Sequence, residues 1–277
     1  MSENRIPLAG VIGSPIAHSK SPQLHGHWLK TYGLRGHYIP MDVSTDNLGQ
    51  VLDALPKMGF VGVNITVPHK EKVMEFADLV TDRATLIGAA NTLTFQKDGK
   101  LRADNTDGYG FFENLRQNAP NWNVKAGPAA VLGAGGAARA VIASLLDAGV
   151  PHILLSNRTR VRAEALQSEF GKRIEVVEWV QAGNMLEEAT TVVNTTSLGM
   201  LGKPPLRVPL DGLRKDAVVT DLVYAPLKTH LLAEAEKMGC TTVDGLGMLL
   251  HQAVPAFERW FGVRPEVDSA TRAAALR

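Results

Sequence analysis

Ala129-Ala130-Val131-Leu132-Gly133-Ala134-Gly135-Gly136-Ala137-Ala138-Arg139 is the stretch on which the fold turns. Four apolar residues that end at a glycine read as a short strand buried on both faces, the kind found inside parallel sheets. Gly133, Gly135 and Ala138 fill a G-x-G-x-x-G/A frame. The first position permits a tight turn, the second lets backbone approach a pyrophosphate, and the third lets a helix pack closely on the sheet. Ala140 to Leu146 follows with apolar residues at helical spacing, and Gly149 stands where that helix would be capped. Such a helix aims free N–H groups and the positive end of its dipole at the turn, where a phosphate would sit.

A glycine pattern alone also fits an ordinary loop in an alanine-rich chain, so its context decides. Ile153-Leu154-Leu155-Ser156 reads as the next strand, and its end, roughly 20 residues beyond the glycines, selects the cofactor in folds of this kind. An NAD site carries a carboxylate there to bind the ribose hydroxyls. This chain carries Asn157-Arg158-Thr159, with Arg162 one helical turn on. Arginine is permanently charged and forks onto phosphate oxygens, so the pair suits a 2′-phosphate. Cations at a helix N-terminus oppose its dipole unless an anion binds beside them. The expected cofactor is therefore NADP.

A chain of 277 residues with 45% hydrophobic content is long enough for two domains with their own cores. A net charge of +1 gives no basic field for nucleic acid or a membrane surface. No apolar run approaches the roughly 20 residues of a bilayer span. Met1-Ser2-Glu3-Asn4-Arg5 lacks a signal-peptide core. A cytoplasmic chain is expected. Cys240 is the single cysteine, which excludes an internal disulfide and a cysteine-based zinc cluster, and its flanks suggest a buried structural thiol. His25 and His27 lie two residues apart on an expected helix, face different ways and form no metal frame. No metal is expected.

Ahead of the glycine stretch, strands are expected at Ile6–Ile12, His37–Val43 and Phe60–Val67, the last stopping at Pro68. Between them a helix opens at Ser21-Pro22, serine as N-cap and proline at the first position, and another lies around Leu48–Leu55. Helices near Lys70–Phe76 and Asp82–Ile87 lead to a hairpin, Asn91–Gln96 and Leu101–Asn105, turned at Asp98-Gly99. This alternation predicts a mixed α/β sheet for the first half. In the second half, strands at Arg173–Glu178, Thr191–Asn194 and Ala217–Val223 continue a doubly wound parallel pattern. A long amphipathic helix runs from Gly245 through Phe261, and an alanine-rich one follows Pro265.

Three polar clusters in the first half are hard to read as folding devices. Gly13-Ser14-Pro15-Ile16-Ala17-His18-Ser19-Lys20-Ser21 places hydroxyls between a strand and a helix, either as a solvated capped turn or as donors for a carboxylate. Asn64-Ile65-Thr66-Val67-Pro68-His69-Lys70 places Asn64 and Thr66 on one strand face, with Lys70 at the turn beyond. Asp104-Asn105-Thr106-Asp107-Gly108 ends a strand with two carboxylates before a helix at Tyr109–Leu115, where Thr106 or Asp107 could also serve as N-cap.

Together S-K-S-P, N-I-T-V-P-H-K, A-A-N-T-L, D-N-T-D-G, G-A-G-G-A-A-R, N-R-T-x-x-R, N-T-T-S-L-G-M, D-L-V-Y-A-P-L-K-T and D-G-L-G-M-L-L-H-Q occur in one chain. In order and spacing this set resembles the shikimate dehydrogenase family over nearly the whole chain, Gly13 to Gln252. Ala138 stands where the family often has serine, and Leu222 where methionine is frequent; only fine cofactor contacts depend on either.

The resemblance implies two α/β domains. Residues 1–106 form the substrate domain, with 245–277 packing back onto it, and residues 107–244 form a Rossmann-type NADP domain, with a cleft between them that closes on binding. It implies reversible reduction of 3-dehydroshikimate to shikimate by NADPH, in aromatic amino-acid biosynthesis. Lys70 is implied as general acid and base, paired with Asp107; taken alone, Lys70 would read as a surface lysine at a helix start. Ser19 and Ser21 are implied for the substrate carboxylate, Asn64, Thr66, Asn91 and Asp107 for the ring hydroxyls or carboxylate edge, and Tyr224 and Gln252 as closing over the substrate from the other half. The implied cofactor set is Asp82, Gly133, Ala134, Gly135, Gly136, Ala137, Asn157, Arg158, Thr159, Arg162, Leu222 and Gly245. The expected partner is the small-molecule substrate alone, in a monomer or homodimer. A relative that oxidises quinate with NAD is disfavoured by the missing acid at Asn157, and a non-catalytic NADP sensor by the joint presence of Lys70 and Asp107.

Overall fold

The computed structural model describes residues 6–277. Met1–Arg5, read above as lacking a signal-peptide core, lies outside the described residues. The chain divides into two compact units: Met1–Asp107 with Leu250–Arg277, and Gly108–Leu249.

The first unit is built on β1 (Leu8–Gly13), β2 (His37–Asp42), β3 (Phe60–Ile65), β4 (Leu79–Val80), β5 (Thr92–Phe95) and β6 (Leu101–Asp104), ordered β2-β1-β3-β5-β6-β4. The β1–β2 and β1–β3 pairs are parallel, because α1 (Ser21–Thr31) and α2 (Leu48–Met58) supply the crossovers. The expected hairpin makes β5–β6 antiparallel, with Gly99 at φ 87° in its turn. The sheet is mixed, as expected. β1 is covered on both faces: Ile12 joins Leu48, Leu52 and Val63 on one side, while Ala9 and Val11 join Tyr38 and Trp260 on the other. That two-sided burial explains its run of apolar residues without alternation.

Three local expectations are corrected. Ser21 is the first helical residue of α1 rather than its N-cap; Lys20 holds the cap position, and the side chain that reaches a free N–H is Ser19, whose Oγ accepts from Ser21 N at 3.3 Å. β3 ends at Ile65, two residues early, because His69 N–H returns to Thr66 O (2.9 Å) and closes a turn. The helix expected at Lys70–Phe76 is a 3₁₀ segment over Lys72–Phe76. β4, too short to carry a periodic signal, precedes α3 (Asp82–Ile87), which Thr81 caps by accepting from Ala84 N.

The second unit carries six parallel strands: β7 (Ala129–Leu132), β8 (Ile153–Ser156), β9 (Ile174–Val177), β10 (Thr191–Asn194), β11 (Val218–Asp221) and β12 (Thr241–Val243). Their order is β12-β11-β10-β7-β8-β9. With α4 (Asp107–Asn118), α5 (Gly136–Asp147), α6 (Arg160–Phe170) and α7 (His230–Lys237), this is the doubly wound Rossmann-type arrangement. The strand order reverses between β7 and β10, which places the glycine turn at the switch point where such sheets bind ligands. Alternate β7 residues serve opposite cores: Val131 packs with Val141, Ile142 and Leu145, and Leu132 with Val192, Val219 and Leu231. Cys240 is buried and free, as its flanks suggested.

The chain then returns through α8 (Leu246–Phe261) and α9 (Ser269–Ala275), the division between units falling within α8. Trp260 Nε1 donates to Leu93 O (3.2 Å) and Trp28 Nε1 to Thr271 Oγ1 (3.2 Å), which fastens this C-terminal segment to the first sheet and to α1. Gly62 on β3 has no room for a Cβ, which would strike the Trp260 indole and the Leu93 carbonyl.

Candidate active site

In the first unit, Asn64, Thr92 and Asp104 are register partners across β3, β5 and β6. The loops leaving this row therefore bring the N-I-T-V-P-H-K, A-A-N-T-L and D-N-T-D-G segments together. Lys70 O accepts from Ala90 N (2.8 Å), which fixes the lysine backbone against the start of β5. Its Nζ donates to Asp107 Oδ2 at 2.5 Å. The Asp107 side chain is 8% exposed and that of Lys70 25%, so the carboxylate is sheltered while the ammonium keeps one open side.

Asp107 is held from three directions. Its Oδ1 accepts from Asn91 Nδ2 (2.8 Å), its N–H donates to Asn105 Oδ1 (3.0 Å), and Lys70 takes the other oxygen. The Asn91 amide has only one satisfactory orientation, because its Oδ1 accepts from Thr106 N (2.9 Å), Thr106 Oγ1 (3.1 Å) and Thr92 Oγ1 (3.0 Å). That leaves Nδ2 facing Asp107 and Gln252 Oε1 (3.1 Å). Gln252, expected from the chain's second half, thus joins this cluster from α8 within the first unit.

Tyr38, which the sequence reading did not single out, orients Asn64 by donating to its Oδ1 at 2.7 Å, and Asn64 Nδ2 donates to Asn91 O and Thr92 Oγ1. Burial pushes the Tyr38 phenol well above its usual range, partly offset by a hydrogen bond with Ser21. Ser21 is buried and Ser19 partly so, and their loop is tied to the Lys70 turn where Ser14 N donates to Val67 O (3.1 Å) and Thr66 N to Ile12 O (2.9 Å). Asp104, at the β6 end of this row, is fully buried. Burial raises its pKa, but the fork from Arg83 (Nε and Nη2, both 2.6 Å), Thr81 (2.9 Å) and Arg259 (3.2 Å) outweigh it and hold the carboxyl at about 2.

In the second unit, Gly133 has φ 108°, a conformation that L side chains rarely adopt, and a Cβ there would meet Thr195 Oγ1 at 2.5 Å. Gly135 and Gly136 face open space, and α5 starts at Gly136 with no side-chain cap, leaving its first N–H groups directed at the turn. A pocket of about 260 Å³ lies here, bounded by Gly133–Gly135, Asn157, Arg158, Arg162, Trp179 and Thr195–Leu198. Trp179 is a lining residue that no sequence motif flagged. Asn157 Nδ2 donates to Thr159 O (2.8 Å), bracing the turn after β8.

The three arginines beside this turn behave differently. Arg160 is paired with Glu164 (2.7 Å) and Glu178 (2.5 Å). Arg158 and Arg162 meet no carboxylate among the described residues and border the pocket, so an anion with several oxygens fits where they converge. Leu222 and Gly245 are adjacent: a Cβ on Gly245 would strike the Leu222 carbonyl. Tyr224 is half-buried beyond β11, its phenol pushed up by burial. Asp82 is the exposed first residue of α3 in the first unit.

The chain matches the family model described as the shikimate dehydrogenase substrate binding domain over residues 11–93, the shikimate/quinate 5-dehydrogenase model over 115–200, and the shikimate 5′-dehydrogenase C-terminal domain over 245–275. It is 73% identical over 272 residues to the NADP(+) shikimate dehydrogenase of Cereibacter sphaeroides, covering 98% of each chain. Among solved structures it resembles the shikimate 5-dehydrogenase of Thermus thermophilus in complex with NADP(H) and shikimate (38% identity, TM-score 0.87, 98% and 99% of the chains). It also resembles the quinate dehydrogenase of Corynebacterium glutamicum in complex with NAD (33% identity, TM-score 0.90, 97% and 98%).

Proposed function

The chain belongs to the shikimate dehydrogenase family, NADP-dependent oxidoreductases acting on a CH–OH group, and from that premise we propose that it reduces 3-dehydroshikimate reversibly to shikimate with Lys70 and Asp107 managing the proton. Its place is then in aromatic amino-acid biosynthesis. The dinucleotide, when bound, supplies the hydride. The residues present fit it: a glycine turn open at Gly135 and Gly136, an uncapped helix N-terminus, and two arginines that meet no carboxylate among the described residues support NADP.

What the chain itself must do is hold the substrate and deliver one proton. Negative charge builds on the C3 oxygen as the carbonyl is reduced, and Lys70 Nζ donates to that oxygen; in the reverse direction the neutral amine accepts the hydroxyl proton. Asp107 steers the ammonium, and Asn91 steers Asp107. Ser19 and Ser21 hold the substrate carboxylate, with Asn64, Thr66, Asn91, Tyr224 and Gln252 reading its oxygens. A site of several hydrogen-bonding groups rejects analogues that leave one unpaired. The observation that carries the reading is the Lys70–Asp107 pair at 2.5 Å with the second carboxylate oxygen already bonded to Asn91, which leaves the ammonium's remaining hydrogens for a substrate.

The likeness to an NAD-bound quinate dehydrogenase makes substrate and cofactor choice the point to test. Initial rates for shikimate and quinate, each with NADP and NAD, are expected to favour shikimate with NADP by about ten-fold or more, the worth of one charge-assisted contact of about 1.4 kcal/mol. Equal or faster turnover of quinate with NAD would reverse the assignment, and no turnover of any pair would favour a sensor.

A further inference from the structure

Asp221 ends β11, is 1% exposed, and touches none of the residues assigned above to proton transfer. Its Oδ1 accepts from Asn194 Nδ2 (2.9 Å) and Val223 N (3.0 Å), and its Oδ2 from Thr229 Oγ1 (2.7 Å). Asn194 ends the neighbouring strand β10. Its own Oδ1 accepts from Thr196 N (3.0 Å) and Thr196 Oγ1 (2.8 Å), and Thr196 Oγ1 accepts from Leu198 N (3.0 Å). Thr195 to Leu198 form one wall of the pocket at the glycine turn, close enough that a Cβ on Gly133 would meet Thr195 and Thr196. One carboxylate therefore sits at the root of two segments: the Thr195–Leu198 wall and the Leu222–Val223 exit from β11.

We propose that Asp221 is a positioning residue for the cofactor, an ionised acceptor that sets the Asn194 amide and through it the Thr195–Leu198 wall. The inference rests on reading the glycine turn as the NADP site. Three donors converge on the two oxygens, and the ionised form is the one that accepts from all three at once. A proton on Oδ2 would reverse its bond to Thr229 Oγ1, turning the hydroxyl hydrogen away, and would take the negative charge from the oxygen that holds Asn194 Nδ2 and Val223 N. Burial pushes the Asp221 carboxyl up to about 6, partly offset by Thr229, Val223 N and Asn194, so that charge is lost just below neutral pH.

A separate cavity of about 200 Å³ borders Asp221 on its other side, and its charged or titratable groups are Lys203, from the loop after β10, and His230, at the start of α7 and 3.9 Å from Glu234. From β10 the facing group is the uncharged Asn194, β12 ends at Val243 opposite Thr220, and Asp244 just beyond is committed to Leu246 N (3.0 Å).

Positioning and mere structural support have opposite pH signatures. A buried carboxylate with a raised pKa stabilises the fold more when neutral, so this residue's contribution to global stability grows as pH falls from about 6 toward 3.8. Cofactor binding should weaken over the same window. The test is the NADP Kd of the full chain, wild type and Asp221→Asn, at about pH 8 and about pH 5, with denaturation midpoints and steady-state kinetics on the same samples. Expected at the higher pH is about a ten-fold weaker NADP Kd for the variant, in line with loss of one charge-assisted hydrogen bond. Its kcat at saturating NADP should stay within about two-fold, and its midpoint should equal or exceed wild type, since no buried charge remains.

At the lower pH the variant-to-wild-type ratio should approach one; the 2′-phosphate also titrates there, but in both proteins, so it cancels. A ratio of one at the higher pH, or a ratio that does not change with pH, overturns the role of Asp221 alone. Failure of wild type to bind NADP overturns the cofactor reading and the inference together. Should Asp221→Asn not fold, Thr196→Val removes the far end of the same relay at constant volume, and wild-type NADP binding by that variant refutes the proposal.

Discussion

At the level of single residues, the arrangement around Lys70 divides labour between charge and orientation. An ammonium at 2.5 Å from a sheltered carboxylate would be an inert ion pair if both oxygens and all three hydrogens were spent within the protein. Here Asn91 occupies one carboxylate oxygen, Lys70 the other, and the lysine keeps an exposed side. Lys70→Ala should therefore lower kcat by about 10²–10⁴-fold, the usual worth of a positioned general acid, while substrate affinity measured by binding changes little. Near-normal turnover would remove Lys70 from proton transfer. The lysine, the aspartate and the asparagine stand in the linear motifs that carry the family resemblance, although Lys70 taken alone reads as a surface lysine at a helix start. Tyr38 was not, since a tyrosine in an edge strand carries no signal until Asn64 is seen to accept its hydroxyl hydrogen.

Among the elements, β3 and α8 show how a site residue distant in sequence is brought to its cluster. α8 seats its Trp260 ring against the glycine-sized gap at Gly62, and the indole N–H bonds Leu93 O. About two helical turns back along α8 from there is Gln252, whose Oε1 accepts from Asn91. Gly62→Ala should therefore both destabilise and misplace Gln252. A cost of about 1–3 kcal/mol is expected from overpacking, read as a lower denaturation midpoint, with a raised KM for shikimate. An unchanged midpoint would mean that the indole can shift freely. Periodicity identified both elements in advance. Their contact was invisible, because the reason for the glycine is a ring almost two hundred residues further along the chain.

For the whole molecule, two buried carboxylates of opposite tendency shape acid stability. Asp104, held at about 2 against an ordinary 3.8, binds fewer protons when folded, so its contribution is full above 3.8 and is lost as pH falls toward 2. Asp221, raised to about 6, binds more protons when folded, so its penalty is full above 6 and is relieved as pH falls toward 3.8. Urea midpoints across this range should show Asp104→Asn less stable than wild type at neutral pH, the gap closing below about pH 3. Asp221→Asn should be at least as stable as wild type at neutral pH, with any advantage gone by about pH 4. Parallel curves for the three proteins would mean that neither group titrates as its surroundings dictate.

The strand-turn-helix at Ala129–Arg139, the mixed first sheet, the hairpin at Asp98-Gly99 and the arginine pair after β8 were all set by local sequence. Each rests on a short-range property: apolar spacing, a glycine's reach into positive φ, or fixed charge. Tertiary structure alone decided that Ser19 rather than Ser21 reaches the first free N–H of α1, that Asp104 stays ionised while Asp221 is pushed up by burial, and that among the described residues Arg158 and Arg162 meet no carboxylate while Arg160 is paired. Those outcomes depend on which donors, acceptors and charges arrive from distant strands, and a linear sequence states the residues without stating their neighbours.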